Sequence, residues 1–374
     1  MIDFKSFECT GCTACYNACP HAAIQMVEDG EGFKFPQIAE AKCVKCGLCQ
    51  KVCIPLNGYA PQSFAQKAYG AKNKNLDERK QSQSGGVFFV LAKHILSQGG
   101  VVYGSLLGEG LIARHGRANT EETAKAFRGS KYVQSDLGNI FLNVKEDLVT
   151  GVPVLFSGTP CQVAGLKAFL RKDYENLLLV DLICHGVPSP KIWADYVAWQ
   201  EKRLRGKMTK PNFRDKSYNW GSSYESFYIN ENKKTFIIYT KIFHSRNAFR
   251  KSCYVCPFSN TNRLSDITIG DYWGIGNVKP EFKDRHGVSA VLVNSEKGQC
   301  IWNEVCESFD SFECKTEDIT AWNPNLIRPS RRPATREEFW RDCGKDFGVV
   351  AKKYGGNDLI GKGKMLIKKI LGRI

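Results

Sequence analysis

Behind residue 84 the chain settles into short apolar runs alternating with helical apolar stripes. After Ser84-Gly85-Gly86, the residues Val87, Val90, Leu91 and Ile95 recur on one helix face, and Gly99-Gly100 closes that element. Val101 to Leu107 reads as a strand, and Thr120 followed by Glu121 and Glu122 opens another helix. Val152 to Phe156 is a short apolar run of buried-strand type. It is followed by a helical stripe through Val163, Leu166, Phe169 and Leu170, a second apolar run from Leu177 to Ile183, and a helix near 190–204. Strand, helix and strand of these lengths make a βαβ unit with parallel strands. Asp266 to Ile269 adds a short strand that ends in Gly270-Asp271. By contrast, Pro55 to Lys80 is polar and turn-rich, the pattern of a linker.

The first sixty residues carry their information in cysteine. Cys9, Cys12, Cys15 and Cys19, then Pro20, give C-x2-C-x2-C-x3-C-P; Cys43, Cys46, Cys49 and Cys53 repeat the spacing with Ile54-Pro55 behind them. Three cysteines at intervals of three wrap one corner of a cuboidal cluster, and the fourth points to the other cluster. The expected sets are therefore Cys9, Cys12, Cys15 and Cys53 for one [4Fe-4S] centre, and Cys43, Cys46, Cys49 and Cys19 for the second. Zinc modules show paired knuckles separated by a longer gap, not these triplets.

Four further cysteines fall at chemically suggestive places. In a βαβ unit both strands end on the same sheet edge, where open α/β sheets place ligands. Ser157-Gly158-Thr159-Pro160-Cys161-Gln162 follows the first strand and Cys184-His185-Gly186 follows the second. With Cys253-x2-Cys256 they complete a set of four, the expected ligands of a third [4Fe-4S] cluster. A redox dithiol or half a zinc site is the alternative for the lone C-x-x-C, and a buried structural thiol for Cys161 or Cys184. Cys300, Cys306, Cys314 and Cys343 lack cluster spacing.

Composition narrows the class. The chain has 374 residues, 43% apolar and 24% charged, with sixteen cysteines. The start has no basic flank before an apolar run, and no run of about 18 apolar residues could cross a bilayer. Metal ligation and a cytoplasmic location are therefore expected before disulfides and export. The net charge of +15 is uneven: residues 328–374 hold thirteen Lys or Arg against five Asp or Glu. Such a tail suits anionic partners. Leu366, Ile367, Ile370, Leu371 and Ile374 share a helical face opposite lysines, which raises peripheral contact with the inner face of a membrane, or packing onto the body, as uses of the end. Nucleic acid ranks last, because no zinc-finger or RNA-binding aromatic motif accompanies the charge. Gly274-Ile275-Gly276 lacks the third glycine of a dinucleotide fingerprint, and Gly356 to Gly363 lacks the hydroxyl of a phosphate loop.

Taken in order, the ferredoxin head, Ser84-Gly85-Gly86, Gly129-Ser130-Lys131-Tyr132, Gly158-Thr159-Pro160-Cys161-Gln162, Cys184-His185-Gly186, Cys253-x2-Cys256 and Gly270-Asp271 resemble the coenzyme F-420 hydrogenase/dehydrogenase beta-subunit family with a two-cluster bacterial-type ferredoxin module in front. The resemblance implies a mixed α/β (α+β) chain: a ferredoxin-like domain, then a mixed-sheet, flavin-binding reductase body containing the βαβ unit. It divides the chain into a ferredoxin domain (1–60), a linker (61–80), the family's N-terminal flavin-binding domain (81–165), its C-terminal domain (166–345) and a basic amphipathic tail (346–374).

FAD is implied, against Ser84, Gly85, Gly86, Lys131, Tyr132, Gly158, Thr159, Gly270 and Asp271, with Lys131 facing a phosphate or the reduced flavin. His185 is the expected proton donor. The implied activity is that of an oxidoreductase passing electrons between a ferredoxin or other redox partner, the clusters, FAD and a small anionic substrate or F-420-like acceptor. The alternative is an electron-transfer subunit that docks to a catalytic partner and has no substrate of its own. It would reduce that partner and oxidise no small molecule.

Overall fold

The computed structural model describes residues 8–60, 63–217 and 219–357. In the head, the short helix α1 (Ala14–Ala18) carries Cys15, the last of the first cysteine triplet, and strands β1 (Ile24–Glu28) and β2 (Lys34–Ile38) form an antiparallel hairpin between the two cysteine loops. Apart from Cys15, its buried apolar residues are Ala14, Ala23, Ile24, Phe33 and Val52, a core too small to hold the head by itself.

Strand β3 (Lys67–Asn73) lies inside the stretch expected to be a linker. Its sequence, KAYGAKN, has too few large apolar residues to register as a strand; partners on both sides bury Ala68, Ala71 and Asn73 instead. A helix over Leu76–Gln81 follows, capped by the Asn75 side chain. Helix α2 (Val87–Ser97), β4 (Val101–Leu107), β5 (Ala113–Ala118), helix α3 (Ile140–Val149), β6 (Val154–Gly158), helix α4 (Pro160–Leu170), β7 (Leu177–Leu182) and helix α5 (Pro190–Leu204) then build the βαβ unit in the expected order. A small antiparallel sheet of β8 (Met208–Asn212), β9 (Glu225–Ile229) and β10 (Asn232–Phe236) precedes helix α6 (Ile238–Ser245). Strands β11 (Ile267–Asp271), β12 (Ser289–Val293) and β13 (Phe309–Cys314) complete the main sheet.

That sheet has eight strands in the order β13-β3-β12-β11-β7-β6-β4-β5. Four adjacent strands, β11, β7, β6 and β4, run parallel, and the remaining pairings are antiparallel. Leu155, Val180 and Ile267 are fully buried, as expected of strands covered on both faces. All four parallel strands point their carboxyl ends to one edge, which fixes where a ligand can sit. The amphipathic stripe over 366–374 lies outside the described residues.

Candidate iron–sulfur and cofactor site

The head cysteines gather in the two expected sets. Cys15 has Cys12, Cys9 and Cys53 as electrostatic neighbours, and burial, their mutual field adding to it, raises its thiol pKa. Burial likewise pushes Cys53 up to about 12. Cys19, Cys43, Cys46 and Cys49 line a small cavity of about 30 Å³ whose other walls include Ile24, Ile38 and Leu48. Backbone amides point at the sulfurs: Gly11 N–H donates to Cys9 Sγ at 3.4 Å and Ala23 N–H to Cys19 Sγ at 3.3 Å. Crowded thiols with raised pKa values stay protonated unless a cation replaces the protons, so this donor set fits iron–sulfur ligation. Among the described residues no group of three His, Cys, Asp or Glu closes to single-ion geometry; a cuboidal cluster does not require its thiols to meet at one point.

The four body cysteines also converge. Cys161 opens α4 and has Cys256 and Cys184 as electrostatic neighbours; Cys184 in turn neighbours Cys253 and Cys256. Burial pushes Cys184 and Cys253 up to about 12. The loop after β7 is zipped onto the Cys253 segment: Gly186 N–H donates to Cys184 Sγ at 3.4 Å, and Val187 N–H to Cys253 Sγ at 3.5 Å. Gly186, at φ 118°, is required here, since a Cβ would fall 2.4 Å from the Phe249 ring and 3.2 Å from Cys253 Cβ. Cys12 of the head is a further neighbour of Cys161, because α1 packs on α4 at Gly165. The head thiols and the body thiols are thus adjacent.

Beside Cys161 and Cys184 opens a cavity of about 500 Å³ at the carboxyl edge of the sheet. Ser84, Gly86, Lys131, Tyr132, Gly158, Thr159, His185, Gly270 and Asp271 all line it, although they come from five separate stretches of chain. Gly85 does not. It is wedged between β3 and β12, where a Cβ would lie 2.2 Å from the Ala71 carbonyl oxygen, so its glycine serves strand packing and not a ligand.

Two further residues of the expected set are also engaged within the protein. The Lys131 ammonium donates to the Ala126 and Arg128 carbonyls, both at 2.9 Å, and so caps the short helix before it. Asp271 is held as a carboxylate by Arg214 at 2.6 and 2.7 Å and by the Trp220 indole N–H at 2.7 Å. Burial works to raise its pKa, but these partners overcome it and hold it below the ordinary value.

Sequence reasoning missed several wall residues. Arg214 is buried, lies over the Trp273 ring, and its Nε has no hydrogen-bond partner among the described residues. A buried donor left open on a cavity wall fits a site that takes a polar ligand. His115 bridges the Ser157 carbonyl and Ser135, and Gln162 donates to Ser135, so a polar chain runs along one wall. His244 and Arg246, at the end of α6, line the cavity as well. None of these carries a local motif; only the tertiary fold brings them to the sheet edge.

Residues 153–318 match the family model for the C terminus of the coenzyme F420 hydrogenase/dehydrogenase beta subunit, and residues 8–55 match a 4Fe-4S dicluster domain. Residues 153–318 belong to this beta-subunit family. The chain is therefore an iron–sulfur electron-transfer protein of oxidoreductase type. A solved structure of the F420-reducing [NiFe] hydrogenase complex from Methanosarcina barkeri is similar, with 18% identity over 79% of this chain and 92% of that one, at a TM-score of 0.48. No curated protein matches the chain. Among the described residues no helix is long and apolar enough to cross a membrane.

Proposed function

We propose that the chain is an iron–sulfur flavoprotein oxidoreductase, which exchanges electrons between a redox partner and a small anionic organic acceptor, of F-420 type or otherwise. The observation that carries this reading is the cavity itself: large enough for a dinucleotide, and walled by Cys161 and Cys184, which adjoin the thiols of the head. FAD would lie against Ser84, Gly86, Tyr132, Gly158, Thr159 and Gly270, and when bound it supplies the conversion between one-electron and two-electron transfer.

The chain's own residues bind, orient and handle protons. Tyr132 is stacked on Phe243 with ring centroids 4.0 Å apart and offers a rigid apolar wall. Asp271 keeps Arg214 in place at the sheet edge, so that the guanidinium contributes no unpaired charge to the apolar side of the cavity. Burial holds His185 below its ordinary pKa, so that near neutral pH it is uncharged and can pass a proton at a ring nitrogen. Cys161, Cys184, Cys253 and Cys256 would hold a third [4Fe-4S] cluster, and the amides of Gly186 and Val187 would tune it.

Anaerobic purification with iron and released flavin quantified is the test. About twelve irons and one FAD per chain are expected, with about eight irons remaining in Cys161→Ser and Cys184→Ser. Eight irons in the unaltered chain would remove the third cluster, and absence of flavin would remove the flavoprotein reading. The family's description as a beta subunit favours a second reading, an electron-transfer subunit with no acceptor of its own. Turnover of a small acceptor by the isolated chain decides against that reading; reduction of a co-purifying partner alone decides for it.

A further inference from the structure

The cavity wall is cationic beyond what its own partners neutralise. It carries Arg128, Lys131, Arg214 and Arg246 against a single carboxylate, Asp271. Arg214 is committed to that carboxylate, Lys131 to two backbone carbonyls, and Arg128 to Gln81 and the face of Phe89. Arg246 is different. Among the described residues it joins no ion pair, and its electrostatic neighbours on the cavity wall are His185 and His244.

These three side chains come from two elements. His185 follows β7, whereas His244 and Arg246 are the last turn and cap of α6. A basic helix end is ordinarily explained by the helix dipole. That explanation covers His244 and Arg246 on their own helix, but not their meeting with His185 on a separate strand edge. The backbone there is fixed: Tyr254 donates its hydroxyl to the Arg246 carbonyl at 2.6 Å, and the Arg246 N–H donates to Phe243 at 3.0 Å. The Arg246 guanidinium is thus presented from an anchored residue while its side chain remains exposed. Asn325 lines the same cavity and is tied through Ser330 to the His185 carbonyl, which supports the loop from behind.

We infer that His185, His244 and Arg246 form the seat for an oxyanion, a carboxylate or phosphate, of the organic acceptor. This deepens the flavoprotein reading and rests on it for the identity of the neighbouring ligand. A guanidinium offers a planar fork that matches an oxyanion in two contacts, and the two imidazoles supply adaptable donors around it. The seat is built from the loop after β7 and the end of α6, and not from the Ser84 to Gly86 helix start against which FAD is proposed to lie.

The test uses the full chain, purified anaerobically, titrated with inorganic phosphate and with acetate at constant ionic strength, followed by calorimetry and by flavin absorbance. Saturable binding is expected in the unaltered chain. Arg246→Ala should weaken it about tenfold or more, the loss of one charge-assisted contact, with iron and flavin content unchanged. Arg246→Lys should recover part of the affinity, a graded response that general loosening of the loop would not give. No saturable binding, or equal affinity in Arg246→Ala, would overturn the seat. Loss of flavin from Arg246→Ala would overturn it too, by assigning the anion to the cofactor's phosphates. Protein that carries no flavin as purified defeats the flavoprotein reading alone, because calorimetry still reads the anion and its dependence on Arg246.

Discussion

His115 shows how much a single wall residue can decide. It is 5% exposed, and burial pushes its imidazole down to about 4, with the field of Lys131 adding to the shift and the Ser157 carbonyl opposing it. The ring is therefore neutral near pH 7, with Nε2–H donating to Ser157 and Nδ1 accepting from Ser135. The unfolded chain takes up this proton near 6.5, whereas the folded chain does so only near 4. The stabilisation is consequently complete above about pH 6.5 and drains away as the pH falls from there toward 4, to a total of about 3 kcal/mol. Substituting His115→Gln keeps a hydrogen-bonding side chain but removes the titration. The denaturation midpoint of the unaltered chain should fall more steeply between pH 6.5 and 5 than that of the variant; parallel curves would show that His115 is not buried neutral. Nothing near His115 in the sequence marks it, since Ser135 and Ser157 are 20 and 42 residues away. The head cysteines were legible for the opposite reason: cluster ligation writes its geometry into spacings of three and four.

At the scale of elements, α4 joins the sequence motif to the electron path. Thr159 caps it, Pro160 occupies its first turn and Gln162 completes the capping box, so a helix start was readable from local residues alone. The parallel pairing of β6 with β7 was equally readable from two apolar runs and the helix between them. What the helix packs against was not. Gly165, in the middle of α4, faces α1, and a Cβ there would lie 2.8 Å from Cys12 Cβ and 2.9 Å from its Sγ. Glycine in a helix interior costs about 1 kcal/mol relative to alanine, a cost that makes sense only where another backbone or ligand loop must come close. Gly165→Ala should therefore destabilise the chain by about 1–3 kcal/mol through overpacking and lower the iron content by about four, as the set containing Cys12 is displaced. Gly30→Ala, with nothing within 4 Å of its Cβ, is the control and should leave both unchanged. Full iron content in Gly165→Ala would show that α1 and α4 can part without cost. Strand β3 marks the limit of the sequence reading: seven residues that look like a linker become an interior strand, second from the sheet edge, because β12 and β13 supply the burial that its own side chains do not request.

For the whole molecule the question is what keeps the head seated, since its small apolar core gives it little independent stability. Polar pins from three parts of the body reach it. Asn17 donates to the Gly138 carbonyl at 3.0 Å, Lys34 pairs with Asp136 at 2.7 Å, and Arg336 forks onto Glu31. The central pin is Arg250, 1% exposed, which donates to the Cys9 carbonyl at 2.8 Å, the Lys34 carbonyl at 2.9 Å and Gln134 at 3.1 Å, with Phe35 stacked on its guanidinium at 4.1 Å. It grips both the first cysteine loop and the hairpin, and it lies three residues before Cys253, so one side chain registers the head thiols against the body thiols. Electron transfer falls steeply with distance, which makes this registration a functional requirement as well as a structural one. Removing the guanidinium but keeping its bulk, in Arg250→Met, leaves three oxygens without a donor at about 1–3 kcal/mol each. The loss is borne where the head meets the body, not in the sheet. Amide hydrogen exchange should therefore accelerate at least tenfold in the hairpin residues 24–38 of Arg250→Met while Ile267 to Asp271 in the sheet keeps its protection. Uniform acceleration in both would instead make Arg250 a general stability residue, and unchanged exchange in the hairpin would mean the remaining pins suffice to hold the clusters in line.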